Sequence, residues 1–181
     1  KAESNQLDLS LFEKAGFAHH YWHSAEKKGY SGVAILSKQK PDHVEVGFGN
    51  KLYDSEGRLL RADYGDVSVM SVYMPSGTTG DIRQQFKYGF LDFFQDYINT
   101  LRQTRPKLII CGDWNICHKP IDIHNPVSNA KSSGFLPEER EWIDKFINNG
   151  FVNHYAILCG HAHIAFFVAG HGIGKGAVAI V

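Results

Sequence analysis

The chain has 181 residues, of which 43% are hydrophobic and 13% aromatic, enough to build one domain around a sizeable core. Its 19 basic and 19 acidic residues cancel, which excludes a chain-wide pull toward nucleic acid while leaving a local basic face open. Three cysteines, Cys111, Cys117 and Cys159, make no CxxC pair and no even disulfide framework, as suits a reducing compartment. The opening Lys1-Ala2-Glu3-Ser4 is polar and carries no secretory pattern, so a cytoplasmic, bacterial-type location is expected. Position 1 is not Met, and a fragment of a longer protein is expected.

In chain order, residues 5 to 15 read as a short amphipathic helix with Leu7, Leu9, Leu11 and Phe12 as its apolar positions. Ser31 to Leu36 and Val44 to Phe48 read as strands, and turn-formers from Asp54 to Gly57 end a hairpin-like stretch. Val67 to Tyr73 is a β-rich run stopped by Pro75 and Gly77. Arg83 to Gln103 is the clearest helix, because Phe86, Phe90, Phe93, Phe94, Tyr97, Ile98 and Leu101 recur at three- and four-residue steps. Lys107 to Cys111 is a short buried strand. Pro137 opens another helix, with Glu138 and Glu139 complementing the dipole in its first turn and Gly150 beyond its end. The alternation of strand and helix signals gives a layered α/β (α+β) domain.

Beyond Asp144 there is no Asp or Glu, and from Tyr155 the chain turns to Gly, Ala, Ile, Val, Phe and His. Residues 1–154 are therefore taken as the domain and 155–181 as an atypical tail. His and Gly interrupt each apolar run before about 18 residues accumulate, so no membrane span is expected. The glycines of Gly172-Ile173-Gly174-Lys175-Gly176 lack a framing strand, helix and acidic residue, and no motif supports His161, His163 and His171 as metal ligands.

The stretch CGDWNICHK, residues 111–119, ends an apolar strand with a carboxylate, Asp113, and an amide, Asn115. One reading is a turn, since Gly, Asp and Asn are good loop residues; the other is a strand end that holds a metal and a water. Two other strand-like segments carry small or polar groups at an end: Gly29-Tyr30-Ser31-Gly32 precedes one, and Tyr73 in VYMPSG closes another. Three such ends could form a rim site.

The order YSGVAILSK, VYMPSG, the Arg83-containing helix, CGDWNICHKPIDIHNP and GFLPEEREW resembles the exonuclease III / AP endonuclease branch of the endonuclease/exonuclease/phosphatase (DNase I-like) superfamily. The resemblance covers about residues 1–154, and its most specific part is GD-x-N-x-x-H-x-x-ID followed by NP and GF-x-x-x-ER. It implies a four-layer α/β/β/α sandwich, of which this chain carries about the first half. It also implies a Mg²⁺-dependent (or Mn²⁺-dependent) DNA repair nuclease that removes nucleotides from 3′ ends and cuts double-stranded DNA at abasic sites, with no obligate protein partner. Asp113 would be the general base and lie close to the metal. Asn115 would orient the water or stabilise the transition state, and Tyr73 would place its hydroxyl near the scissile phosphate, so that Tyr73 and Asn115 also bind substrate. His118 and Asp122 read as structural groups of the following loop.

The resemblance further implies a Gln-Glu pair whose Glu is the principal metal ligand; this would fall ahead of Lys1. It also implies a later Asp and a Ser-Asp-His segment, which the acid-free stretch after Asp144 does not supply. Two alternatives follow: a non-catalytic fragment or DNA-binding remnant, and a phosphomonoesterase or phosphoinositide phosphatase of the same superfamily.

Overall fold

Two parallel strands joined by a long helix set the frame. In the computed structural model, which describes residues 8–153 and the strand 164–169, the chain runs α1 (Leu9–Lys14), β1 (His19–Ser24), β2 (Gly32–Ser37), β3 (His43–Val46), α2 (Lys51–Asp54), β4 (Leu59–Tyr64), β5 (Val67–Tyr73), α3 (Asp81–Leu101), β6 (Lys107–Asp113), a 3₁₀ turn (Pro120–Asp122), α4 (Pro137–Asn148), β7 (Val152–Asn153) and β8 (Ile164–Ala169). β1 and β2 pair as a two-stranded antiparallel sheet. The other strands form a six-stranded sheet in the order β3-β4-β5-β6-β8-β7. β5 and β6 are its parallel pair, with Val67 opposite Lys107 and Tyr73 opposite Asp113. Such a pair needs a crossover, and α3 supplies it.

Period-two alternation sorts the sheet's side chains between two cores. Leu59, Met70, Val72, Leu108 and Ile110 pack with Phe90, Leu91, Phe94 and Ile98 of α3 and Ile143 and Phe146 of α4. Leu60 and Ala62, on the other face of β4, pack with Val33 and Ile35 of β2. The result is a helix layer, a six-stranded sheet and a smaller sheet, the α/β arrangement expected. The helix-side core is aromatic: Phe94 stacks near Phe90 (6.1 Å) and Phe146 (6.0 Å) and meets Trp114 edge-on at 5.9 Å. Among the described residues no helix is long and apolar enough to cross a membrane.

β5 coincides with its predicted span, and α3 starts two residues earlier than predicted because Asp81 and Ile82 join its first turn. β6 continues past Cys111 through Gly112 and Asp113. Gly112 has φ 146°, and a Cβ there would lie 1.8 Å from the carbonyl oxygen of Val72, so only glycine lets β6 keep its pairing with β5 at that point. The sequence pattern does not disclose β1 and β4, and residues 54–57, expected to end a hairpin-like stretch, instead follow from α2, whose last residue is Asp54. In α2, the Asn50 side chain accepts from Leu52 N, and Asp54 accepts from the backbone N–H groups of Phe48 and Asn50 at 2.7 and 2.8 Å. α1 is shorter than predicted and buries no residue.

Ile164–Ala169 falls in the segment read as an atypical tail, and its backbone pairs antiparallel with β6 from Leu108↔Ala169 to Asp113↔Ile164. Cys159, His161, His163, His171 and the glycines from 172 lie outside the described residues.

Phe94 is fully buried at the centre of the aromatic core, whereas Ile82 is 87% exposed. Phe94→Ala is expected to lower the unfolding free energy by about 3–5 kcal/mol in a urea titration, and Ile82→Ala by no more than about 0.5 kcal/mol.

Candidate active site

Parallel pairing brings Tyr73 and Asp113 side by side as register partners at the carboxyl ends of β5 and β6, the edge where α/β sheets place ligand sites. The register is continued beyond the strands, because Met74 N donates to the Asp113 carbonyl at 2.8 Å. Asn115 turns the chain with φ 50°, a left-handed conformation that Asn tolerates better than most residues. Its backbone N–H donates to Asp113 Oδ1 (3.0 Å), and its Nδ2 donates to the Met74 carbonyl (2.8 Å). The amide thus bridges the two strand ends and is left with Oδ1 as its acceptor. Trp114, 1% exposed, plugs the core with its ring 5.4 Å from Phe146 and 6.3 Å from Trp142. All three predicted site residues therefore belong to one constellation.

Two ion-pair systems support it, and neither was visible in the sequence. Lys87 on α3 and Glu139 on α4 are completely buried and meet at 2.5 Å. Lys87 Nζ also donates to the Asn115 carbonyl at 2.8 Å. Glu139 in turn accepts from Gly134 N (2.7 Å), Leu136 N (3.0 Å) and Gln84 Nε2 (3.0 Å). Glu139, expected from the sequence as a first-turn acid complementing the dipole, is thus also a buried acceptor that ties α3 and the preceding loop to α4. Burial pulls the Lys87 ammonium below its ordinary pKa, and the nearby Glu139 and Asp113 offset only part of that.

The second system lies behind Tyr73. Arg58, 2% exposed, donates from Nη1 to the Tyr73 carbonyl (2.7 Å) and from Nε to Glu56 Oε2 (2.7 Å), and its guanidinium carbon sits 5.4 Å from the Tyr73 ring centroid. Arg58 O accepts from Tyr73 N, so the two residues clasp each other through both backbone and side chain. Arg83 adds a bidentate contact to Glu56 (2.8 and 3.1 Å). Burial raises the Glu56 carboxyl, but hydrogen bonds and charge from Arg83 and Arg58 outweigh it and hold the group below its ordinary value of 4.5. Gly57, at φ 60°, permits the approach: a Cβ there would come within 2.5 Å of the Ser24 backbone.

The loop after Asn115 uses its polar groups on itself. Asp122 Oδ2 accepts from Lys119 N at 2.7 Å, which is the structural role anticipated for it. His118 Nε2 lies 2.7 Å from Asp144 Oδ1, and Arg140 Nε donates to the His118 carbonyl at 2.9 Å. Hydrogen bonds from Lys119 and then His118 lower the Asp144 carboxyl. His118 and Asp122 thus hold the loop to itself and to α4.

The donors at the strand ends are a carboxylate and an amide oxygen, hard ligands of the kind a divalent magnesium-like cation takes while keeping several waters. Asp113 and Asn115 fit as part of such a set. Among the described residues no group of three or more His, Cys, Asp or Glu side chains is gathered around a common cation position.

Residues 2–174 match the model of the Endonuclease/Exonuclease/phosphatase family. The chain belongs to this family. Within it, the chain is similar to the exodeoxyribonuclease of Bacillus subtilis, 38% identical over 155 residues that make up 86% of this chain and 60% of that protein. It is also similar to the DNA repair nuclease APEX1 of Danio rerio, 37% identical over 159 residues, 87% of this chain and 51% of that one. Among solved structures, an AP endonuclease from Archaeoglobus fulgidus superposes with a TM-score of 0.76 at 25% identity, covering 93% of this chain and 73% of that one. The chain thus spans between half and two thirds of the length of these curated relatives. These similarities agree with the exonuclease III / AP endonuclease branch indicated by the GDWN and GFLPEER strings. Enzymes of this family generally use divalent metal ions.

Removing one member of the buried pair strands the other charge. Lys87→Met is expected to cost about 3–5 kcal/mol of unfolding free energy in chemical denaturation. For Glu56 the folded pKa lies below 4.5, so its stabilising contribution is complete above that value and is lost as pH falls through the folded pKa. The stability gap between the wild type and Glu56→Gln should therefore be constant from pH 7 to about 5 and narrow below 4.5, as read by thermal melts across pH.

Proposed function

We propose that this chain is the strand-end half of the active site of a metal-dependent DNA repair nuclease, one that hydrolyses phosphodiester bonds at abasic sites and at 3′ ends of double-stranded DNA. The observation that carries the proposal is the convergence of Tyr73, Asp113 and Asn115 on the carboxyl ends of β5 and β6, in a chain similar to an exodeoxyribonuclease and a DNA repair nuclease. Asp113 accepts the proton of the attacking water. Asn115, fixed by its bond to Met74 O, orients that water or meets the charge that develops on phosphorus. Tyr73, backed by Arg58, presents a phenol hydroxyl to the phosphate. Asp113 and Asn115 would hold Mg²⁺ or Mn²⁺, and the cation supplies charge neutralisation for a phosphate already ringed by anionic oxygens.

The test is incision of a labelled duplex carrying an abasic analogue, with Mg²⁺ and with EDTA. The family resemblance places a further Glu ligand ahead of Lys1, so the 181-residue chain alone should show little turnover. A chain extended in frame by segments supplying the Gln-Glu pair and the Ser-Asp-His should incise in Mg²⁺ and not in EDTA. In that background Asp113→Asn should abolish most activity, because an amide cannot take the proton. Asn115→Ala should cost about 10²-fold or more, and Tyr73→Phe less than Asp113→Asn. Incision that persists in Asp113→Asn would refute the site assignment. Hydrolysis of a phosphoinositide with no action on abasic DNA would move the chain to the phosphatase reading.

A further inference from the structure

The outer side of the helix layer carries a groove that the nuclease reading does not use. It has a volume of about 670 Å³ and lies between α3 and α4, lined by Tyr88, Leu91, Asp92, Gln95 and Asp96 from one helix and Glu138, Glu141, Trp142 and Lys145 from the other. Its apolar floor is the half-buried Trp142 ring, which stacks on Phe146 at 5.1 Å; Leu91 packs into the core beneath, 1% exposed. Its walls are acidic. Asp92 and Asp96 stand four residues apart on one face of α3, and Glu138 and Glu141 stand three apart on α4. Lys145, the one cation of the lining among the described residues, is bonded to Glu141 at 2.8 Å. Among the described residues Asp92, Asp96 and Glu138 make no salt bridge at all.

That arrangement works against the isolated helices. Like charges four apart on a helix face destabilise it by a few tenths of a kcal/mol, roughly 0.2–0.5. A groove with carboxylates on both walls that lack an ion pair among the described residues, and an indole at its base, is complementary to one chemistry. It suits an amphipathic segment with Lys or Arg along two edges and bulky apolar side chains between them. A phosphate-bearing ligand is repelled by the same walls. The lining runs over about two turns of each helix, from Tyr88 to Asp96 and from Glu138 to Lys145, a length that suits a short docked helix.

We propose that the α3–α4 groove is a docking site for a cationic amphipathic helix of a partner protein, on a face of the domain built by the helices and not by the strand ends. This does not depend on the nuclease reading, since its readout is binding and requires no turnover. The probe is a 15-residue amphipathic helical peptide with lysines on one face and leucines on the other, labelled with a fluorophore and titrated with the 181-residue chain at low and at physiological salt. Saturable binding is expected to weaken at least tenfold in the exposed charge reversals Asp92→Lys with Asp96→Lys, and similarly in Glu138→Lys with Glu141→Lys. Glu13→Lys with Glu26→Lys, exposed acids on other elements, should leave it within twofold. A peptide with the leucines changed to serine should bind at least tenfold more weakly at the same charge. Circular dichroism melts of each variant keep loss of fold separate from loss of binding. Equal weakening by the control reversals, or equal binding of the serine peptide, would reduce the effect to bulk charge and overturn the proposal. Sedimentation showing a dimer of this chain that the groove reversals disperse would assign the groove to a second copy and overturn it as well.

Discussion

The ammonium of Lys87 is the point on which the site's geometry hangs. It is completely buried, and its acceptors come from two places: the Glu139 carboxylate on α4 and the Asn115 carbonyl at the end of β6. One charge therefore fixes a helix to a helix and both to the turn that carries the amide. Burying an ammonium is costly unless it is paired and hydrogen-bonded, so displacing any one element leaves an uncompensated charge in the core. Glu139 passes the constraint on through Gly134 N and Leu136 N, and Gly134 O then accepts from Cys117 N at 2.7 Å. The loop that follows the strand-end residues is held at both its beginning and its end by this network.

A second constraint acts from the opposite side. Asn115 fastens to the Met74 carbonyl, while Arg58 fastens to the Tyr73 carbonyl one residue earlier. Two adjacent peptide groups at the end of β5 are thus held from two directions, by an amide just beyond the end of β6 and a guanidinium just ahead of β4. Sites that must place reacting groups within fractions of an ångström need supporting contacts of this kind, because a strand end left to itself frays. The aromatic core beneath, with Trp114 between Phe94 and Phe146, resists displacement of the strand end toward the helices.

These constraints explain what was and was not legible in the sequence. β5, α3, β6 and α4 were readable because each is a buried run or a sustained helical period with a clear stop, and their packing agrees with their pattern. β1, with its run His19-His20-Tyr21-Trp22-His23, and β4, with Arg61 and Asp63 inside it, look polar. Polar groups of both find partners on other elements: His23 Nδ1 lies 2.8 Å from the Leu59 carbonyl, and Asp63 Oδ1 accepts from Ser68 Oγ at 2.6 Å and lies 3.7 Å from Arg105 Nη2. Glu139 read as a first-turn acid because nothing local distinguishes it from Glu138. Only the distant Lys87 makes one buried and the other exposed. That Tyr73 and Asp113 are neighbours is likewise a property of strand register; spacing alone left Asp113 and Asn115 readable as a turn, and the catalytic reading of them rests on the family strings.

Charge is distributed in keeping with this division of labour. Around the strand ends Arg58, Arg83 and Lys87 are spent on Glu56 and Glu139, so the cations nearest the site are engaged internally and serve to hold geometry. With Asp113 added, the formal charges of these six groups cancel. Under the proposed reading, a phosphodiester arriving there meets no surplus positive charge from these side chains, and a divalent cation is the group that would make its approach and its transition state favourable. On the far side of the helix layer the charge is acidic, since among the described residues no ion pair absorbs the charge of Asp92, Asp96 or Glu138. A chain whose totals sum to zero is therefore polarised, with balanced charge among these groups at its strand ends and acidic charge on its helical face, so the two proposals ask for opposite partners: a divalent cation with its phosphodiester at the first, and a cationic segment at the second.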